Sequence, residues 1–342
     1  MSISLYQTRE MLQALEQIHV PGDFLLTTVV NPTAEYHKTN TIDIDVVRNG
    51  KKMAPFVSPV REGKVITKEG FSTRTHTIPY TKMKTPTTAQ EALQRMAGAT
   101  IYNGQTAKQF ADREMGKSLA KLDQMIFRRE EWMAAQALQT GAITVEGEGV
   151  SYVIDFGMAA SHKPTLTGVD LWSATTATIQ SDLADWADKV YDDSGLNADI
   201  AILGREAARA MLANETFQGS LDRRKIDRGE IMIQRLPKGV KYYGFDRESG
   251  LDLYGYTEKY YDEGTSTFKP LIDDKKVIVC STQARFTRHY GAIQNIEADF
   301  IGPRWPDNWV TKDPSVHWVS LESAPLVALH QPDAVVCATV LA

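Results

Sequence analysis

At 342 residues the chain is long enough to build more than one hydrophobic core. Its apolar and charged fractions, 42% and 24%, are those of an ordinary folded protein and exclude a disordered or fibrous chain. A net charge of −5 excludes a surface dominated by clustered Lys and Arg, so sequence-specific nucleic-acid binding is not expected.

The first 50 residues do not form a self-contained unit. Thr8 to Ile18 reads as a short helix with Leu12, Leu15 and Ile18 on one face, and Pro21-Gly22 ends it. Phe24 to Val30 is an apolar patch. Thr41 to Val47 alternates Ile42, Ile44 and Val46 as a strand would, which turns Asp43 and Asp45 to solvent rather than to a metal. An arm of this kind must bury its patches against the rest of the chain or against another copy. Residues 56 to 81 read as a long β-hairpin: Phe56 to Val60 leads to Val65-Ile66, Lys68-Glu69-Gly70 turns, and Thr73, Thr75 and Thr77 return. A two-stranded hairpin is marginal alone in water, so this one is expected to lie against other subunits. Thr85 to Thr88 reads as a linker, followed by a short helix at Ala89 to Met96.

The stretch from Gly104 to Gly141 is a single long helix. Met115, Leu119, Leu122, Ile126, Met133 and Ala137 fall on one face, and no Pro interrupts the run. Asp112, Arg113, Lys117, Lys121, Asp123, Arg128 and Glu131 take the other faces. Gly141 supplies the stop. At 1.5 Å per residue the helix is roughly 50 Å long, a spine laid along one side of an extended domain.

Beyond it, Ala142 to Val145 and Val150 to Phe156 form a hairpin around Glu146 to Gly149. Helices at Ile179 to Val190 and Arg205 to Asn214 then alternate with strands at Asn197 to Leu203, Lys241 to Phe245, Leu251 to Thr257 and Lys276 to Ser281. Tyr242, Tyr243, Tyr254, Tyr256, Tyr260 and Tyr261 fill a sheet face or an interface. Gln218 to Gly229 is a polar loop carrying Arg223, Arg224, Lys225 and Arg228. Val316 to Leu321, Leu326 to Leu329 and Val335 to Leu341 are central strands.

Signs of chemistry are few. Cys280 and Cys337 sit in apolar runs and read as buried reduced thiols. The seven histidines show no pair at a metal-binding helical spacing, and no nucleophile elbow or phosphate loop is present. No apolar run approaches the ~20 residues that span a bilayer. The amino terminus lacks a signal-peptide pattern, so a reducing cytosol is the expected site of folding.

Ser281-Thr282-Gln283-Ala284-Arg285, Arg288, Tyr290-Gly291 and Ile293-Gln294 resemble the corresponding stretch of lambda-type phage major capsid proteins. So do Asn308 to Thr311 with Asp313-Pro314, Ser323 to Leu326, and Pro332-Asp333. Val57-Ser58-Pro59 with Gly63 and Val65-Ile66 resembles the same family's hairpin. The likeness is dense over 281–342, patchy over 20–145 and faint over 160–275. It implies the α+β Hong Kong 97-like capsid fold. The implied division is an N-terminal arm (1–50), an E-loop (51–88), a first part of the P-domain (89–165) with its spine at 104–140, an A-domain (166–290) and returning P-domain strands (291–342).

The implied function is a major capsid protein of the virion. Its pentamers and hexamers, assembled in the host cytoplasm, would close an icosahedral shell around double-stranded DNA held without sequence-specific binding. Partners would be a decoration protein, a scaffolding protein and a portal, with no membrane. An encapsulin-like compartment is the alternative within the fold, and an α/β enzyme built on 166–290 the alternative outside it. Candidate contacts between subunits are Phe56, Val57, Val65, Ile66, Phe71 and Tyr80 of the hairpin, Phe24 and Leu25 of the arm, and Arg223 and Arg224 of the basic loop. No catalytic residue, cofactor or metal ligand is assigned.

Some relatives of this fold weld subunits through a Lys–Asn bond. Lys64 and Lys68 on a polar hairpin stay solvated and protonated, hence poor nucleophiles, and the lambda-type family that shares the Asn308-Trp309 motif does not cross-link. Mature particles boiled in detergent should release one band at 38.1 kDa. A ladder that survives boiling and reductant would overturn this reading.

Overall fold

The computed structural model describes residues 7–17, 24–46, 54, 56–57, 59, 62, 72–88, 107–174, 176–214, 217, 221–222, 239–298, 301–313 and 315–342. The expected helix at 89–96 lies outside the described residues, as do Lys64, Val65, Ile66, Lys68, Phe71, Arg223 and Arg224.

The spine is one helix, Ala107–Thr140, of 34 residues. Over residues 115–126, Met115, Leu119, Leu122 and Ile126 pack with Met11 of the helix Thr8–Gln17 and with Val319 and Leu321 of a strand. The second half does not lie along one side. Ala134, Ala135, Ala137 and Leu138 are all fully buried, because three small side chains let strands approach the helix from several directions. Two charged residues assigned to its polar faces, Asp123 and Glu131, are buried as well.

Gly141 ends the helix at φ 70°, its N–H donating to the Ala137 carbonyl at 2.9 Å. The hairpin that follows pairs Ala142–Gly147 with Val150–Asp155.

A six-stranded sheet lies beside the spine, in the order Val335–Thr339, Lys276–Cys280, Ile200–Leu203, Leu251–Tyr256, Val240–Asp246 and Leu221–Asp222. Alternation sorts its residues into two apolar faces. Ala201, Leu203, Leu251, Leu253, Val277, Val279, Val336 and Ala338 meet the helices Ile179–Ser194 and Arg205–Ala213. Ile200, Ile202, Tyr256, Ile278, Cys280, Val335 and Cys337 join the core that holds the spine and the arm. A sheet covered on both faces reads as continuous apolar runs, which is why these strands stood out.

The edge strand Val335–Thr339 belongs to this sheet, although the sequence reading grouped it with the strands of 291–342. Phe286–Tyr290, grouped with 166–290, lies elsewhere: it pairs in parallel with Ala34–Tyr36 and antiparallel with Pro325–Leu329. Cys280 and Cys337 are free and buried on neighbouring strands, facing Val335 and Ile278 respectively. Burial pushes the Cys337 thiol up to about 12, and raises that of Cys280 well above its usual value.

Two local readings are corrected. The expected linker Thr85 to Thr88 is the end of a strand, Thr81–Thr88, paired along its length with Val316–Ser323. Pro86 is tolerated because this is the edge of a three-stranded sheet whose other edge is Trp305–Thr311. The hairpin also has different limbs: Ser72–Thr77 pairs with Thr41–Val46, in the register Thr41↔Thr77 to Val46↔Ser72. Ile42 and Ile44 point inward, and Asp43 faces solvent, where it accepts a hydrogen bond from Thr75 at 2.6 Å.

A Cβ at Gly141 would stand 2.2 Å from the Met158 Cβ, whereas one at Gly149, also at positive φ (74°), would meet nothing within 4 Å. Gly149→Ala should cost about 1–2 kcal/mol for the left-handed backbone alone. Gly141→Ala should cost distinctly more in urea unfolding of the purified chain; equal losses would mean the helix stop is not packed as described.

Candidate functional site

The charged residues enclosed by the fold lie on the spine and the elements it meets. Glu130 and Glu131 are adjacent, about 100° apart around the helix, and both are fully buried. Glu131 turns toward the arm. Its Oε1 accepts the Leu25 N–H at 2.9 Å and the Tyr256 hydroxyl at 2.8 Å, and its Oε2 accepts the Leu26 N–H at 3.0 Å. A carboxylate on the first N–H groups of the short helix Phe24–Thr28 satisfies donors that helix cannot pair itself. One side chain therefore joins the spine, the arm and the six-stranded sheet.

Glu130 turns the other way. It accepts Arg304 Nη1 at 2.9 Å and the Tyr290 hydroxyl at 3.2 Å. Arg304 Nε reaches Asp123 Oδ1, two turns earlier on the helix, at 2.7 Å, and Nη1 also donates to Ser323 Oγ at 3.2 Å. The guanidinium lies 5.1 Å from the Phe127 ring centroid. Burial disfavours the Arg304 charge, but Glu130, Tyr290 and Asp123 outweigh it and hold its pKa above the ordinary arginine value. Burial, and then Glu130, raise that of Tyr290.

Another buried carboxylate, Glu322, accepts a short hydrogen bond from the Tyr80 hydroxyl and pairs with Lys82 at 2.8 Å. It fastens the chain leaving the hairpin to the central strand of the three-stranded sheet. Burial, then Glu322, raise the Tyr80 pKa.

The expected contact residues fall in different places. Phe56 is 102% exposed and Val57 is exposed too. Tyr80 is half-buried, packed on the main core. Phe24 and Leu25 are covered from within the chain, Phe24 with its ring 5.0 Å from that of Tyr254, so the arm's apolar patch needs no neighbour to bury it. Asn308 is buried, its Nδ2 3.5 Å from Met11 Sδ and its Oδ1 3.4 Å from His317 Nε2, which turns the amide into the subunit. Large exposed side chains not singled out from the sequence are Ile296, Phe268, Val169 and Val153. The Arg304 network was missed as well. Its only signal is a lone Arg between Pro303 and an aromatic strand.

The parts define a structural subunit of the shell-forming Hong Kong 97-like class: a long helix gripped by buried carboxylates, a hairpin beside it and a two-faced sheet. The crystal structure of a putative capsid protein of an E. coli CFT073 prophage aligns with TM-score 0.74, covering 98% of this chain and 99% of that one at 21% identity. The capsid of Ralstonia phage GP4 aligns with TM-score 0.54 over 99% and 92%, at 10% identity.

The chain belongs to the phage major capsid protein E family, whose sequence profile matches residues 7–340. It is 26% identical to the major capsid protein of Escherichia phage lambda, over 97% of this chain and 98% of the relative. It is 27% identical to that of Enterobacteria phage P21, over the same shares. Membership makes it a phage major capsid protein and decides against the encapsulin-like compartment.

Arg304→Met leaves Asp123 and Glu130 buried without their cation and should cost about 3–5 kcal/mol in unfolding. Tyr290→Phe keeps the ion pair and should cost less, about 1.5–3 kcal/mol. If Arg304→Met proves as mild as a surface change, the network does not hold the strands to the spine.

Proposed function

We propose that copies of this chain form pentamers and hexamers that close an icosahedral shell around packaged double-stranded DNA, assembled in the host cytoplasm. In this reading the hairpin beginning at Thr41–Val46 and ending at Ser72–Thr77 is the E-loop reaching to a neighbour. The spine and the three-stranded sheet ending in Val316–Ser323 form the P-domain. The six-stranded sheet, including Val335–Thr339, forms the A-domain near the capsomer axis.

The observation that carries the reading is Phe56 with Val57. Phe56 is fully exposed and Val57 partly so, on the segment that leads to Ser72–Thr77, a strand tied by Arg74 to Asp155 at 2.6 Å. An exposed aromatic on an anchored arm is what a contact between subunits would bury. The net charge of −5 fits a wall that does not hold DNA by counterion release. A small decoration protein would reinforce the shell where E-loops and arms meet, with a scaffolding protein and a portal directing assembly. Among the described residues no helix is long and apolar enough to cross a membrane.

The test is Phe56→Asp with Val57→Asp. The doubly substituted chain should stay soluble with an unchanged far-ultraviolet spectrum and unfolding midpoint, because neither side chain is in the core. Electron microscopy should show free subunits or capsomers in place of closed shells. Normal shells from the variant would remove the E-loop contact from the proposal.

A further inference from the structure

Three histidines far apart in sequence stand in a row across the sheet that receives the arm. Glu35 and His289 are direct partners in the parallel pairing of Ala34–Tyr36 with Phe286–Tyr290. His37 follows the first strand and His330 follows Pro325–Leu329, on the other side of His289. His37 Nε2 is 3.0 Å from His289 Nδ1, and His289 Nε2 is 3.0 Å from His330 Nε2. Glu35 Oε2 lies 3.6 Å from the same His289 Nδ1.

We propose that Glu35, His37 and His289 bind a divalent transition-metal ion, of which zinc fits best. Their donor atoms all lie within 4.8 Å of one another. A zinc ion with ligands at 2.0–2.1 Å sets its donors roughly 3.3 Å apart, so separations of 3.0 and 3.6 Å need only small adjustments. Two imidazoles and one carboxylate suit zinc over magnesium or calcium, which take oxygen ligands. Glu35 and His37 are half-buried, so a fourth position opens to water.

Two further features fit. A ligating histidine usually donates its second ring N–H to an acceptor that fixes its tautomer. In the tautomer that donates Nε2–H to the buried His330, 3.0 Å away, His289 keeps its Nδ1 lone pair on the side of Glu35 and His37. Arg285 Nη2, 3.4 Å from Glu35 Oε1, holds the carboxylate's other oxygen and can remain.

The ion would fasten the arm. Residues 34–36 form a three-residue edge strand, flanked by main-chain bonds from Asn31 to Phe286 at 2.6 Å and from His37 to Tyr290 at 2.8 Å. All the ligands come from one chain, so the site does not rest on the shell reading.

The test uses the full chain without a histidine tag, stripped with chelator and titrated with zinc chloride by calorimetry and thermal unfolding. The expected result is one ion bound per chain and a rise in melting temperature reversed by chelator. Glu35→Gln and His37→Gln, both at half-exposed positions, should each weaken binding at least tenfold, while His317→Gln, outside the row, should not. Cobalt(II) should give a visible spectrum in the parent chain that either variant loses. Absence of stoichiometric binding, or binding that survives both substitutions, overturns the proposal.

Discussion

Two adjacent buried glutamates in the second half of the spine tie the arm, the six-stranded sheet and Arg304 to one helix. A fully buried carboxylate is costly unless each lone pair finds a donor, so its partners cannot drift. Glu131 finds main-chain N–H groups of the arm and a tyrosine of the six-stranded sheet. Glu130 finds Arg304, and through it Asp123 and Ser323. Because consecutive helix residues point about 100° apart, one helix turn fixes two sets of elements at once. Hydrophobic burial would let those elements slide; directional charged hydrogen bonds set one arrangement.

Much of this was legible in the chain. The 34-residue helix showed in its apolar spacing, and its end in Gly141, where a left-handed backbone and the close approach of Met158 both require glycine. The strands of the two-faced sheet showed as unbroken apolar runs. What was hidden depends on partners remote in sequence. Asp123 and Glu131 look like surface residues to any periodicity argument, because a buried charge and a solvated one have the same letter. The mate of Ser72–Thr77 is Thr41–Val46, across a long intervening segment, and a nearer apolar run drew the wrong pairing. The row His37, His289, His330 has no spacing to find, since parallel and antiparallel pairing across one sheet assembles it.

The division of labour between the cores follows from the same geometry. The core shared by Phe24, Ala134, Ile278 and Leu329 joins arm, spine and both principal sheets. The one beneath Ile179–Ser194 and Arg205–Ala213 belongs to the six-stranded sheet alone. The last strand of the chain, Val335–Thr339, has residues in both. A subunit built this way carries its own stability, which leaves exposed residues such as Phe56 free for contacts outside it.

The two cysteines add a property that concerns the particle after it leaves its host. Thiolate, not thiol, reacts with disulfides and oxidants. With a pKa of about 12 for Cys337 and a strongly raised one for Cys280, both stay in the thiol form at pH 7. Neither reaches solvent, and they do not face each other across their strands. A subunit with such thiols offers oxidants no ready cysteine sulfur, whether its surroundings are reducing or oxygenated.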